Sequence, residues 1–161
     1  MKKLLVLLFG LLILSSCNTT VEQPQYPMKL QGRVTTDYQN TVFSADLSYD
    51  DESLIVTLVT PAELQGVQIV LNSEDVSVKN GDIVLEYSKD MLMFCPFIQL
   101  KSIEEQINVQ KPVFSMIGNN LISQVDFNET QYKICLDTES NRIKLIQTDK
   151  YIFDFNFDEV T

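Results

Sequence analysis

Most of this chain past residue 28 repeats with a period of two, and that constrains the fold more than any other feature. Met28, Leu30, Gly32 and Val34 alternate with Lys29, Gln31, Arg33 and Thr35. Phe43, Ala45, Leu47 and Tyr49 alternate with Val42, Ser44, Asp46 and Ser48. Val67, Ile69 and Leu71, then Val76 and Val78, then Ile83, Leu85 and Tyr87 continue the pattern. Successive side chains of a strand point to opposite faces, so this pattern specifies sheet with one apolar and one wet face. Residues 54–59 are apolar on both faces except at Thr57, which predicts a more central strand. Asn80-Gly81 predicts a two-residue hairpin turn of the type that needs positive φ at both positions. Further short strands are predicted over 121–127, 131–137, 142–148 and 151–157, joined by Asn, Asp and Glu turns. Strands this closely spaced, with no long helix between most of them, specify an antiparallel meander and exclude a parallel α/β sheet.

One stretch breaks the period. Residues 91–96, Met-Leu-Met-Phe-Cys-Pro, are apolar without alternation. Phe97, Leu100, Ile103 and Ile107 then recur at threes and fours, while Lys101, Glu104, Glu105 and Gln106 are polar. That spacing predicts an amphipathic helix over 97–110 with one apolar stripe. A sheet with one apolar face has to cover that face, and one short helix cannot cover about ten strands. The expected fold is mainly β: a strongly curved antiparallel sheet, an open half-barrel, with a short helical lid. A closed small barrel and a two-sheet sandwich are the competing solutions.

The first residues carry a different message. Lys2 and Lys3 precede an apolar run over 4–14, whose eleven residues at about 1.5 Å each cannot span a hydrocarbon core of roughly 30 Å. The run reads as a signal peptide. Leu14-Ser15-Ser16-Cys17 resembles the bacterial lipobox, which implies cleavage before Cys17 and acylation of its thiol, and often of the new amino group. Two or three acyl chains anchor a protein durably where one does not. The resulting organisation is a signal peptide over 1–16, a lipidated cysteine and polar stalk over 17–27, and a single β-rich domain over 28–161. The chain would be lipid-anchored to the bacterial cell envelope, outside the cytoplasm. Removing 1–16 takes two lysines and no acid, moving the formal net charge from −10 to −12. Such a surface argues against nucleic acid and against adhesion to anionic lipid, since both are held by basic residues. The expected partners are the membrane, through the acyl chains on Cys17, and a hydrophobic ligand. No residue pattern names a protein partner.

Residues 43–71, FSADLSYDDESLIVTLVTPAELQGVQIVL, carry a family resemblance. The strand–strand–Pro-x-x-Leu-x-Gly–strand order, with Thr60, Pro61, Leu64 and Gly66, resembles LolA/LolB-like lipoprotein carriers and receptors, a lipid-transfer fold. That resemblance implies a half-barrel with an apolar concave face closed by helices and holding acyl chains. The family usually opens with an amphipathic helix, for which 18–27 is too short and too polar. The implied ligand-lining residues are Phe43, Leu47, Tyr49, Val67, Ile69, Leu85, Tyr87, Phe94, Leu100, Tyr151, Phe153, Phe155 and Phe157. The last four sit on one face of a single strand, with Ile152, Asp154, Asn156 and Asp158 on the other.

The catalytic inventory is sparse. The chain contains no histidine, which removes Ser-His and Cys-His dyads and histidine metal sites. Gly32, Gly66, Gly81 and Gly118 are too dispersed for a phosphate-cradling loop. Asp137 to Asn141 imitate the start of a calcium loop, but Arg142 stands where such a loop needs glycine and Thr148 where it needs a bidentate glutamate. The sequence therefore predicts no enzyme, cofactor or metal site. Alternation puts Cys135 on the outer face, whereas Cys95 lies in the apolar stretch before the helix, so two free thiols are expected rather than a disulfide. A structural or interaction lipoprotein with a filled core is the alternative to a ligand-binding one.

Overall fold

A computed structural model of the chain describes residues 21–157, apart from 74, 93–94 and 128. The leader 1–16, Cys17 and Phe94 lie outside the described residues.

Among the described residues eleven strands form one antiparallel sheet. They are β1 (Gly32–Tyr38), β2 (Thr41–Asp50), β3 (Ser53–Thr60), β4 (Gln68–Leu71), β5 (Asp75–Asn80), β6 (Ile83–Ser88), β7 (Ser115–Ile117), β8 (Asn120–Phe127), β9 (Thr130–Leu136), β10 (Ile143–Gln147) and β11 (Ile152–Asn156). The spatial order is β6-β5-β4-β3-β2-β1-β11-β10-β9-β8-β7. The sheet does not close: β6 and β7 are its two edges. Among the described residues one α-helix, α1 (Pro96–Gln110), interrupts the meander between the two runs of strands. Among the described residues no helix is long and apolar enough to cross a membrane.

Cross-strand pairs share a face, so the register defines the inner surface. Val34 pairs with Phe155 and Ala45, Leu47 with Val56, Val56 with Ile69, and Leu71 with Val76. In the other direction Phe153 pairs with Ile146, and Ile146 with Ile134. All of these belong to one buried cluster, which also takes Phe97, Ile98, Leu100, Ile103 and Ile107 from α1. The outer face is polar: Arg33 makes a two-point ion pair with Asp46 across β1 and β2, at 2.8 and 3.0 Å.

Local chemistry sets the turns. Gln39 and Asn40, between the paired residues Tyr38 and Thr41, both have positive φ, as the tightest hairpin turn requires. The Asn80-Gly81 expectation shifts by one residue. Asn80 still pairs with Ile83, so the turn is Gly81–Asp82, and of the two only Gly81 has positive φ. The Pro-x-x-Leu-x-Gly stretch makes the β3–β4 connection: Ala62–Leu64 form one 3₁₀ turn and Gly66 takes φ +83° while its N–H donates to the Leu58 carbonyl at 2.8 Å. Gly32 is needed for close approach, because a Cβ there would stand 2.5 Å from the Asn156 carbonyl oxygen on β11.

Two expectations about helix and stalk change. Glu104, read as part of the polar face, is only 4% exposed. It follows Leu100 by four residues and precedes Ile107 by three, so helix geometry puts it on the apolar stripe. Residues 21–27, read from composition as stalk, lie against the domain. The Gln23 amide accepts from the Phe114 N–H at 2.8 Å and donates to the Phe114 carbonyl at 3.0 Å, and the Tyr26 hydroxyl donates to the Pro112 carbonyl at 2.7 Å. Val21 packs against the core.

Candidate functional site

The inner face is covered unevenly. On β8–β11, Leu121, Phe127, Ile134, Leu136, Ile146 and Phe153 are all buried. On the other wing burial persists to Val76 on β5 and then stops. Leu85 pairs with Val78 and Ile83 with Asn80 on the same face, yet Leu85 is 49% exposed and Ile83 63%. Tyr87, paired with the fully buried Val76, is itself partly exposed. The apolar floor thus runs out from under the lid at β6, where Val78, Ile83, Leu85 and Tyr87 form an open shelf continuous with the core. Val84, on the opposite face of β6, is also exposed. This arrangement can take up an apolar chain without displacing packed side chains.

A second feature lies near the C-terminal half of α1, at the end of β2. The Tyr49 hydroxyl donates to the buried Glu104 carboxylate and accepts from the Leu30 N–H at 3.1 Å. The Lys101 ammonium pairs with the other Glu104 oxygen at 3.0 Å. The ammonium groups of Lys29 and Lys101 lie 4.7 and 5.8 Å from the centre of the Tyr49 ring. Burial, and then the neighbouring Glu104 carboxylate, push the Tyr49 phenol well above its ordinary value. One helical turn further on, the Asn108 amide spans the Met28 backbone, accepting from its N–H at 2.7 Å and donating to its carbonyl at 2.9 Å. These groups border a cleft of about 620 Å³ that also includes Asp51, Glu52 and Asn72. Tyr49, Glu104 and Lys101 are bonded to one another, Tyr49 to Leu30 and Asn108 to Met28, so the cluster works as a clasp that fixes the lid to β2 and to residues 28–30.

The thirteen residues expected to line one cavity are distributed over several environments. Leu47, Ile69, Leu100, Tyr151, Phe153 and Phe155 are packed in the core. The Tyr151 ring lies 5.9 Å from Phe153 and 6.1 Å from Tyr38. Phe43 is half-buried with its ring edge-on to Phe97, at the start of the lid. Tyr49 belongs to the clasp, and Phe157 sits under the Arg142 guanidinium at 5.4 Å beside a smaller cleft. Val67 is half-buried against the core just before β4, and Leu85 and Tyr87 remain on the part of the wing that opens. Phe94 lies outside the described residues. Sequence reasoning missed Glu104, Asn108 and Lys29; the available signal was a carboxylate on the apolar stripe of a helix.

Cys95 and Cys135 are free thiols, and burial raises both above the ordinary thiol value. In the loop after β9, Asp137 Oδ1 accepts from the N–H groups of Glu139 and Ser140 and from the Ser140 hydroxyl, at 3.1, 2.8 and 2.8 Å. Those bonds hold its carboxyl below the ordinary range and make it the organiser of a hairpin turn. No protein-family model matches the chain, and neither does any of the curated proteins compared with it.

Proposed function

We propose that this chain is a bacterial envelope lipoprotein, fastened outside the cytoplasm through acyl chains on Cys17, that binds a hydrophobic ligand on the inner face of a half-barrel. The ligand class is an acyl chain, a lipid or a lipidated peptide, and the role is binding without a catalytic step. The observation that carries the reading is the open shelf on β6: Leu85 and Ile83 share a face with the fully buried Val76 and Leu71, yet about half or more of each stays exposed among the described residues.

The half-barrel part of the reading is supported by width. Eleven strands about 4.8 Å apart would span roughly 48 Å if flat, whereas a helix with its side chains is about 10–12 Å across. Inner-face residues are nonetheless buried from Val76 on β5 to Leu121 on β8. A sheet that curls around one helix satisfies both facts, with α1 as the lid. The resemblance to LolA/LolB-like carriers points the same way, and the Pro61–Gly66 stretch that carries it serves the strand connection rather than the ligand.

Protein purified gently and extracted for mass spectrometry tests the reading: a stoichiometric co-purified lipid is the expected result, and clean protein contradicts it. The second reading, an interaction lipoprotein with a filled core, is favoured by one observation: the full burial of Ile134, Leu136, Ile146 and Phe153 on β9 to β11.

A further inference from the structure

The sheet ends on two edges that are built differently. Strand β7 is three residues long, and shortness is one way a sheet keeps its edge from pairing with another chain. Strand β6 has none of the usual protections. Its six residues, Ile83–Ser88, include no proline and no lysine, and Glu86 is the only charge among them. Its pairing with β5 runs from Asp75–Ser88 to Asn80–Ile83 without a bulge. Ile83, Val84 and Leu85 are each about half exposed or more.

The register fixes what this edge offers. In a two-residue turn the first flanking residue accepts a hydrogen bond from the last, so Asn80 and Ile83 are a bonded pair. Bonded and non-bonded pairs alternate along an antiparallel ladder. Ile83, Leu85 and Tyr87 therefore turn their backbone groups toward β5, while Val84 and Glu86 turn theirs to the open edge.

A second copy of the same strand fits this edge. A two-fold axis perpendicular to the sheet sets two β6 strands antiparallel and keeps both inner faces on one side. Paired residues share a face, so the axis passes through a residue position, and two choices pair five of the six residues. An axis at Glu86 stacks two carboxylates directly opposite each other, which is destabilising. An axis at Leu85 sets Leu85 against Leu85, Ile83 against Tyr87 and Val84 against Glu86. The two Val84–Glu86 pairs are then the bonded ones, using the backbone groups that face outward. Lys79 pairs with Val84 on β5, so it stands one strand beyond Val84, in line with Glu86 of the second copy. Its stem can pass over Val84 and bring the ammonium to that carboxylate. At each end Asp82 comes opposite Ser88 of the second copy, one strand from Asp75. Both acids are exposed, and repulsion across about 10 Å of water is screened by salt.

We infer that β6 is the dimer interface of this protein, pairing antiparallel with β6 of a second copy about a two-fold axis at Leu85. The two shelves then join into one apolar floor, with Ile83, Leu85 and Tyr87 of both copies side by side across the axis. The contact closes at two copies, since it consumes the same edge of each and leaves only the short β7 edges outside. It requires neither the acyl anchor nor a bound ligand.

Sedimentation equilibrium of the full chain, in detergent matched in density to the solvent, should give twice the chain mass for the parent. The Val84→Pro variant should give the single chain mass. Proline at 84 removes an N–H that faces the open edge, so the β5 ladder is kept and the circular dichroism spectrum should be unchanged. Disulfide trapping reads the register. The Cα atoms of a directly opposed non-bonded pair are about 4.5 Å apart, within disulfide reach, so Leu85→Cys should cross-link to its own copy under mild oxidation. The two Glu86→Cys positions would stand about 8 Å apart and should not. The parent, with its own three cysteines, sets the background. A monomeric parent overturns the inference and leaves the ligand reading to its own test. A Val84→Pro chain that is folded and still dimeric overturns it as well. A Leu85→Cys chain that cross-links no faster than the parent or than Glu86→Cys also overturns it, and this comparison decides alone if Val84→Pro does not fold.

Discussion

The two wings of the sheet are made from the same kinds of residue and end differently. On β8–β11 the inner positions Ile134, Leu136, Ile146 and Phe153 are inaccessible to solvent. On β4–β6 the inner positions begin equally buried, at Leu71 and Val76, and finish on the open Ile83 and Leu85. The difference is placement, since both wings alternate apolar and polar residues with the same period. It teaches that a period of two marks which face is apolar without marking whether anything covers it. The filled wing is where stability resides, and the open wing is where apolar surface is left for something else.

The largest effect that could break this comparison is truncation of matched residues. Phe155→Ala removes a ring from the packed cluster and should cost about 3–5 kcal/mol, whereas Leu85→Ala on the shelf should cost less than about 1 kcal/mol. Urea unfolding of the two variants reads the difference. Equal losses would mean that the shelf is part of the core.

The clasp is the next test, because it holds the lid over the boundary between the wings. Glu104→Ala leaves the Tyr49 hydroxyl without its acceptor and Lys101 without its partner, and should cost roughly 2–3 kcal/mol. The same cluster has a pH signature. The folded state holds the Tyr49 phenol proton more tightly than the unfolded chain does, so this contribution is fully present below the unfolded value of 10.0. As pH rises past that value the unfolded chain releases the proton first, and stability falls. Tyr26, Tyr132 and Tyr151 are raised by burial as well and share in the decline. Stability measured from pH 8 to 11 should therefore drop less steeply in Tyr49→Phe than in the parent. Parallel curves would remove Tyr49 from the account.

A smaller effect has the opposite sign. Thr36 is buried on β1, and its hydroxyl oxygen has no hydrogen-bond partner. A near-isosteric apolar replacement removes that unmet demand, so Thr36→Val should raise stability by about 1 kcal/mol in the same urea assay. A loss of that size would mean that the hydroxyl has a partner in solution.

Much of the fold was legible in the sequence. Alternation located ten of the eleven strands and the antiparallel meander, and the i, i+3, i+4 spacing located α1. What escaped has physical causes. Strand β7 is three residues long, too short to display a period. The docking of 21–27 depends on amide and hydroxyl bonds from Gln23 and Tyr26 to a backbone about ninety positions away, which no local pattern encodes. Glu104 was misread because polarity was taken as exposure, when its place on the apolar stripe required a buried partner. Of the candidate site, alternation identified Val78, Ile83, Leu85 and Tyr87 as one apolar face. It could not separate them from Phe153 and Phe155, because coverage by the lid is a tertiary property.

The most direct measurement is a titration of the parent chain and Leu85→Glu with a fluorescent fatty acid, each paired with a urea unfolding curve. A carboxylate on the exposed shelf should leave the unfolding midpoint nearly unchanged while opposing an apolar chain laid across it. The account predicts saturable binding to the parent and at least roughly tenfold weaker binding to the variant, a difference of about 1.4 kcal/mol. A parent that never binds the probe, or a variant that binds it equally well, contradicts the account.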